Sequence, residues 1–155
     1  MRIGIGCDNN GFLMKEELKS YIEKLGYTIK DYGCYSLEDT DYPDISFAVC
    51  EGILSSEVER AILICGTGIG MAIAANKIPG IRAAQVHDVY SAERAQLSNN
   101  AQIITFGAKV IGIETAKKLT REYLNNTFVD GRSGKKLKKI TEKEYQLYGS
   151  NNNGY

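Results

Sequence analysis

The sequence predicts an α/β fold: a three-layer α/β/α sandwich around a five-stranded parallel sheet, Rossmann-like in plan. Two observations carry this. Five short apolar runs alternate along the chain with segments whose apolar residues recur at helical spacing. The third run, AILIC at 61–65, is apolar at every position, which suits a strand covered on both faces. Strands joined through crossover helices run parallel, and ligands then bind at the carboxyl ends of the strands. The loops after Cys7, Cys65, Val86 and Phe106 are therefore the ones expected to carry chemistry.

Residues 3–7 read as the first strand. Over 13–25 the residues Met14, Leu18, Tyr21, Ile22 and Leu25 form a helical stripe that Gly26 stops. Residues 27–32 alternate as the second strand, and Pro43 opens a helix over 45–54. The strand at 61–65 leads into a helix over 68–77. Residues 81–86 form the fourth strand, 91–98 the fourth helix, 102–106 the fifth strand and 114–124 the fifth helix. A sixth, mostly solvated helix is expected over 135–147, opening on the basic run KKLKK.

With 155 residues, 43% of them hydrophobic and 25% charged, the chain suits one domain, placed at 1–149, with a frayed polar tail at 150–155. Nineteen basic residues balance nineteen acidic ones, which argues against a nucleic-acid or membrane-surface partner. The cysteines Cys7, Cys34, Cys50 and Cys65 form no C-x-x-C pair and His87 is the single histidine, so no metal site and no cofactor are expected. No apolar run approaches the ~18 residues of a membrane helix. The opening residues show no export signal, and four free thiols fit the reducing cytoplasm.

The sharpest motif is Cys65-Gly66-Thr67-Gly68-Ile69-Gly70, between an apolar strand and a helix. Its glycines let backbone N–H groups turn toward an anion, and a thiol among them suits a base or nucleophile. The alternative is a tight turn with a structural cysteine. Asp8, beside Asn9 and Asn10, is placed either to hold a sugar hydroxyl or to cap a helix. Ser98 and Asn99 offer polar contacts to a substrate, or simply a turn. Arg132 and Lys136 offer a phosphate grip, Ser133 between them, against the reading of a solvated basic stretch. His87 lies at a strand's carboxyl end, where a site role competes with packing. There is no G-x-G-x-x-G after the first strand, which argues against a nucleotide-binding module.

The stretches IGCD, TDYPD, ILICGTGIGMAIAANKIPGIRAA, HDVYSAERA, FGAKVIG and GRS together resemble the ribose-5-phosphate isomerase B / galactose-6-phosphate isomerase family, over almost the whole chain to about Ile140. The resemblance implies a metal-independent aldose–ketose isomerase of phosphorylated sugars, working through a cis-enediolate, in a homodimer or tetramer with sites shared between subunits. Residue by residue it implies Cys65 as the base. Thr67 and the N–H groups of Gly66, Gly68 and Gly70 match the anion cradle, and Asp8 and Asn99 match substrate-hydroxyl ligands. Arg132 and Lys136 match the phosphate grip, reaching in from the neighbouring subunit. Retention of Cys65 and Thr67 argues against a non-catalytic subunit.

Departures from the family pattern point to the substrate. Asn9, Ser98 and Ser133 stand where the family's ribose phosphate isomerases usually have histidines, and the one replaced by Ser98 opens the furanose ring in those enzymes. Serine is a poor acid–base substitute at neutral pH. A four-carbon sugar phosphorylated on O4 has no furanose to open. The segment YSAERAQLSNNAQIIT also looks like the branch that isomerises D-erythrulose 4-phosphate to D-erythrose 4-phosphate. A ribose-5-phosphate isomerase and a galactose or allose 6-phosphate isomerase are the alternatives.

Overall fold

The computed structural model describes residues 1–149; the tail at 150–155 lies outside the described residues. Five strands, β1 (Arg2–Cys7), β2 (Thr28–Asp31), β3 (Arg60–Cys65), β4 (Ala83–Gln85) and β5 (Ile103–Gly107), form one sheet in the order β2-β1-β3-β5-β4. Every pairing is parallel. Six helices accompany them: α1 (Phe12–Lys24), α2 (Tyr42–Leu54), α3 (Ile69–Ala75), α4 (Val89–Leu97), α5 (Ile113–Asn125) and α6 (Arg132–Tyr148). The predicted elements are all present, and their ends differ for local reasons. Helix α2 begins at Tyr42, three residues before the expected start, because Pro43 in the first turn gives up an N–H that would have no partner there. The predicted third helix is cut short at Ala75. The Asn76 carboxamide accepts the Ala83 N–H at 2.9 Å and donates to the Ala83 carbonyl at 2.8 Å, tying the end of α3 to the edge strand β4.

The order of strands places a reversal between β1 and β3: the chain moves from β1 outward to β2, then back across β1 to β3. A crevice opens at such a switch point, at the carboxyl ends of the two strands. Side chains alternate between the faces. Ile3, Ile5, Ile62, Ile64, Ile104 and Phe106 pack with Leu18, Ile22, Ala95, Leu119 and Tyr123 of α1, α4 and α5. On the other face Ala61, Leu63, Cys65 and Ile103 pack with Val49 and Cys50 of α2 and Met71 and Ala75 of α3.

Lys15 interrupts this apolar pattern. It is wholly buried on α1, and its Nζ donates to both Asp31 carboxylate oxygens at 2.8 Å and to the Cys34 carbonyl at 2.7 Å. Lys19 adds a second ammonium at 2.7 Å from Asp31. Burial raises the Asp31 carboxyl, but hydrogen bonds from Lys15, Lys19 and the Gly33 N–H outweigh it and hold the group below the usual carboxylate range. A depressed carboxyl stabilises the fold above its unfolded value, ~3.9, and loses that contribution as the pH falls through the folded value. Asp31→Asn takes the bidentate partner from a buried ammonium, leaving it the half-exposed Glu16 carboxylate at 3.3 Å, and should lower the unfolding free energy by about 3 kcal/mol at neutral pH in a urea titration. The gap to wild type should shrink in acid, where Asp31 itself is protonated; an unchanged gap would refute this account.

Candidate active site

The turn after β3 is built so that its carbonyls face the protein. The Cys65 carbonyl accepts from the Ala108 N–H at 2.8 Å, and that of Gly66 from the Lys109 N–H at 3.0 Å. The Thr67 carbonyl accepts from Gln85 Nε2 at 2.6 Å, and that of Gly68 from the buried Thr105 hydroxyl at 2.8 Å. With four consecutive carbonyls engaged on the β4–β5 side, the N–H groups are left for the opposite side. Among the described residues those of Gly66, Thr67 and Gly70 have no hydrogen-bond partner. Such a nest of N–H groups binds anions without any charged side chain. Gly68 stands at φ 79°, a left-handed conformation that side chains resist. A Cβ on Gly107 would sit 2.7 Å from the Thr67 carbonyl carbon, so only glycine lets β5 press against the turn.

Cys65 lies at the floor, 5% exposed. Its Sγ accepts the Gly68 N–H at 3.0 Å, so this expected member of the anion cradle is aimed at the sulfur instead. The other thiols have different surroundings. Burial, and then the neighbouring Cys34 sulfur at 3.7 Å, pushes Cys7 far above the ordinary thiol range, and burial pushes Cys50 up to about 12. Both remain neutral thiols at physiological pH. Thr67 is exposed beside Cys65, with its hydroxyl accepting the Ile69 N–H at 3.3 Å.

Asp8 follows β1 directly across the crevice, with its N–H donating to the Ile64 carbonyl at 3.1 Å. Its Oδ1 accepts the N–H groups of Asn10 and Gly11 at 2.9 and 3.1 Å, capping a single 3₁₀ turn at Asn9–Gly11 ahead of α1. The capping reading of Asp8 therefore holds, on a turn rather than on the helix itself. Oδ2 accepts the Asn10 side-chain amide at 3.2 Å and has acceptor capacity left. Asn9 is half-buried in the same turn.

Sequence reasoning placed Asn10 beside Asp8 without a role of its own, and it missed Lys109 as a neighbour of the turn. Their side chains come within 3.8 and 3.7 Å of where a Gly66 Cβ would stand. Lys109 follows β5, one of the carboxyl ends already singled out, and that position was the available signal. His87 is committed to the scaffold: its Nε2 accepts the Gly107 N–H at 3.0 Å, which leaves the ring proton on Nδ1.

The remaining candidates are not brought to Cys65 within one chain. Ser98 and Asn99 follow α4 and precede β5, so they return to the amino edge of the sheet. Strand β5, five residues and roughly 13 Å from first to last Cα, separates that edge from the turn. Element order alone could have shown this, because a loop that follows a helix and precedes a strand returns to that edge. Arg132 and Lys136 lie one turn apart on α6, on one face of that helix, exposed and with no carboxylate partner among the described residues. Helix α6 buries no residue, and Glu144 fastens it to the amino edge by accepting the Gly80 N–H at 2.9 Å. Ser133 is half-buried at its start. Among the described residues no three His, Cys, Asp or Glu side chains cluster as metal ligands would, and no helix is long and apolar enough to cross a membrane.

Comparison with known proteins decides what this turn belongs to. The family described as Ribose/Galactose Isomerase matches residues 3–140. This chain belongs to that family. A D-erythrulose-4-phosphate isomerase of Pectobacterium atrosepticum is 44% identical over 147 residues, covering 94% of this chain and 97% of the relative. A ribose-5-P isomerase B of Listeria innocua is 46% identical over 142 residues, covering 92% and 96%. The solved structure of Clostridium thermocellum ribose-5-phosphate isomerase B superposes with a TM-score of 0.92 at 40% identity, over 95% of this chain and 99% of that one. The chain is thus an enzyme of the aldose–ketose isomerase class that acts on sugar phosphates. Gly107→Ala should push Thr67 outward and lower kcat by about 10²-fold, the scale of a misplaced reacting geometry. Steady-state isomerase kinetics check this, and a wild-type kcat would refute the close-packing account.

Proposed function

We propose that this enzyme isomerises D-erythrulose 4-phosphate to D-erythrose 4-phosphate through a cis-enediolate, with Cys65 as the base. The observation that carries the chemistry is the thiol at the floor of a nest of unpartnered N–H groups. The Cys65 thiolate removes a proton from C1 of the ketose and the electron pair moves into the C1–C2 bond, placing negative charge on O2. The N–H groups of Gly66, Thr67 and Gly70 meet that charge where it develops. Cys65 returns the proton to C2 as the O1–H electrons close the aldehyde, and the O1 proton passes through Thr67 or water to O2, which becomes the hydroxyl of the aldose. Asp8, with Asn9 beside it, holds the substrate hydroxyls.

The four-carbon substrate is favoured by Ser98, which stands where the family's ribose phosphate isomerases carry the ring-opening imidazole. The chain's one histidine has its Nε2 committed to Gly107, and Ser98 has only a neutral hydroxyl. A neutral hydroxyl is a poor acid–base group for furanose opening, and a tetrose phosphorylated on O4 has no furanose to open. The relative from Pectobacterium atrosepticum bears the corresponding name. The second reading is a ribose-5-phosphate isomerase fed by spontaneous ring opening, the activity in the name of the Listeria innocua relative.

The working unit in this proposal is a homodimer, or a tetramer built from such dimers, in the cytoplasm. Asn99, Arg132 and Lys136 of one copy complete the crevice of another, Arg132 and Lys136 gripping the phosphate. Two things support this: these side chains stand at the far edge of their own sheet, and Ile69, Ile73, Val89 and Tyr90 are left exposed around the carboxyl edge.

Two experiments test the proposal. In assays with D-erythrulose 4-phosphate and D-ribose 5-phosphate side by side, the tetrulose should be strongly preferred, and Cys65→Ala should lose about 10³-fold or more in kcat with binding kept. Equal or better turnover of ribose 5-phosphate would favour the second reading. Mixing inactive Cys65→Ala with inactive Arg132→Ala and letting subunits exchange should restore up to about a quarter of wild-type activity, since hybrid dimers own one intact site. No recovery in demonstrated hybrids would remove the shared-site arrangement.

A further inference from the structure

Three of the four carbonyls in the turn after β3 are held by β5 or the residues just after it: the N–H groups of Ala108 and Lys109, and the Thr105 hydroxyl on the strand itself. The fourth, on Thr67, is held by a side chain from another strand. Gln85, the last residue of the edge strand β4, donates its amide to the Thr67 oxygen at 2.6 Å. Gln85 shares a sheet face with Ala83, which packs into the Cys65 cluster, so the period of the strand aims it at the turn. Burial does not demand the bond. Gln85 is exposed, and water could serve its amide equally well.

The Thr67 oxygen and the Gly68 N–H belong to one peptide group. The group is planar, so fixing the oxygen fixes the direction of the N–H on the opposite side. That N–H donates to Cys65 Sγ at 3.0 Å. A continuous chain thus runs from the Gln85 amide, through the Thr67–Gly68 peptide, to the sulfur. Donation at the oxygen end also polarises the N–H, because linked hydrogen bonds strengthen one another. An N–H aimed at sulfur stabilises the anion that remains when the proton leaves.

We propose that Gln85 is a positioning residue of this enzyme: it sets the Thr67–Gly68 peptide so that the Gly68 N–H stabilises the sulfur of Cys65. Its role in turnover rests on the reading of Cys65 as the base. Its effect on the sulfur does not.

The test uses the full-length protein with Gln85→Met, which keeps length and loses the donor. Two readouts are taken. The first is the rate at which iodoacetamide alkylates Cys65 at neutral pH, followed by mass spectrometry of the peptide that carries it. The second is kcat and KM for the better of the two sugar phosphates, across pH. Losing one hydrogen bond in the chain should slow alkylation and lower kcat by about 3- to 10-fold, with KM and melting temperature unchanged. The acid limb of the kcat profile should move to higher pH. A wild-type alkylation rate in Gln85→Met would overturn the proposal, as would a rise in KM with kcat intact, which would mark Gln85 as a substrate-binding group. The Cys65→Ala control separates the two claims. If that variant keeps turnover, the base reading fails, and the alkylation rate alone decides whether Gln85 acts on the sulfur.

Discussion

The tight seat of the Cys65–Gly68 turn against the end of β5 is the constraint on which the rest of the site depends. Parallel strands β3 and β5 are in register with Cys65 opposite Gly107, and the chain leaves both strands at the same level. The two emerging loops press on one another closely enough that a Cβ on Gly68 would stand 2.8 Å from the Phe106 carbonyl carbon. At that distance the carbonyls of the turn find donors on β5, on β4 and in the loop beyond, and none is left facing the crevice. What faces the crevice is the N–H side. The candidate anion site is therefore a consequence of where the carbonyls go. It owes little to α3, whose seven residues contribute only its first turn.

Around this turn the molecule uses polar side-chain contacts sparingly, each where an irregular segment must be held near the crevice. Lys15, Asp31 and the Cys34 carbonyl fix the loop after β2, which runs beside the end of β1: the Cys7 N–H donates to Gly33 and the Cys34 N–H donates back to Cys7, both at 2.7 Å. Asp8 emerges from that braced strand end already oriented by its cap. On the far side, Asn76 secures β4, whose last residue Gln85 reaches the turn, and His87 just beyond it reaches Gly107. The buried contacts are costly to break, because their polar groups have no water to replace the lost partner, whereas Asn76 and Gln85 are exposed and their bonds fix geometry.

The candidate site residues stand at two ends of one chain. A parallel sheet with helical crossovers separates its loops into two sets, and the chemistry-bearing residues are divided between them: Asp8, Cys65 and Thr67 at the carboxyl edge, Ser98, Asn99, Arg132 and Lys136 toward the amino edge. Under the proposed function, a chain with this division completes its crevice with a second copy. The solvated helix α6, with Leu137, Ile140 and Leu147 along it and no buried residue, has the same incomplete character.

Much of this was legible in the sequence, for a physical reason. Helix and strand periodicities are local, and so are glycine spacing and the apolar run at 61–65, so all five strands, six helices and the loops at their carboxyl ends could be read directly, together with Cys65, Thr67 and Asp8. What escaped is non-local. Lys15 reads as a surface lysine on α1 until β2 folds alongside and supplies Asp31. Gln85 reads as an exposed polar residue on an edge strand until β5 lies between β4 and β3 and brings the turn within reach of its amide. Strand order, the switch point between β1 and β3, and the distance of Asn99 from Cys65 likewise depend on which strands pair. The sequence by itself determined the elements and the chemistry they carry. Only the tertiary structure decided which of those residues meet, because pairing is chosen by the whole core at once and leaves no mark at any single position.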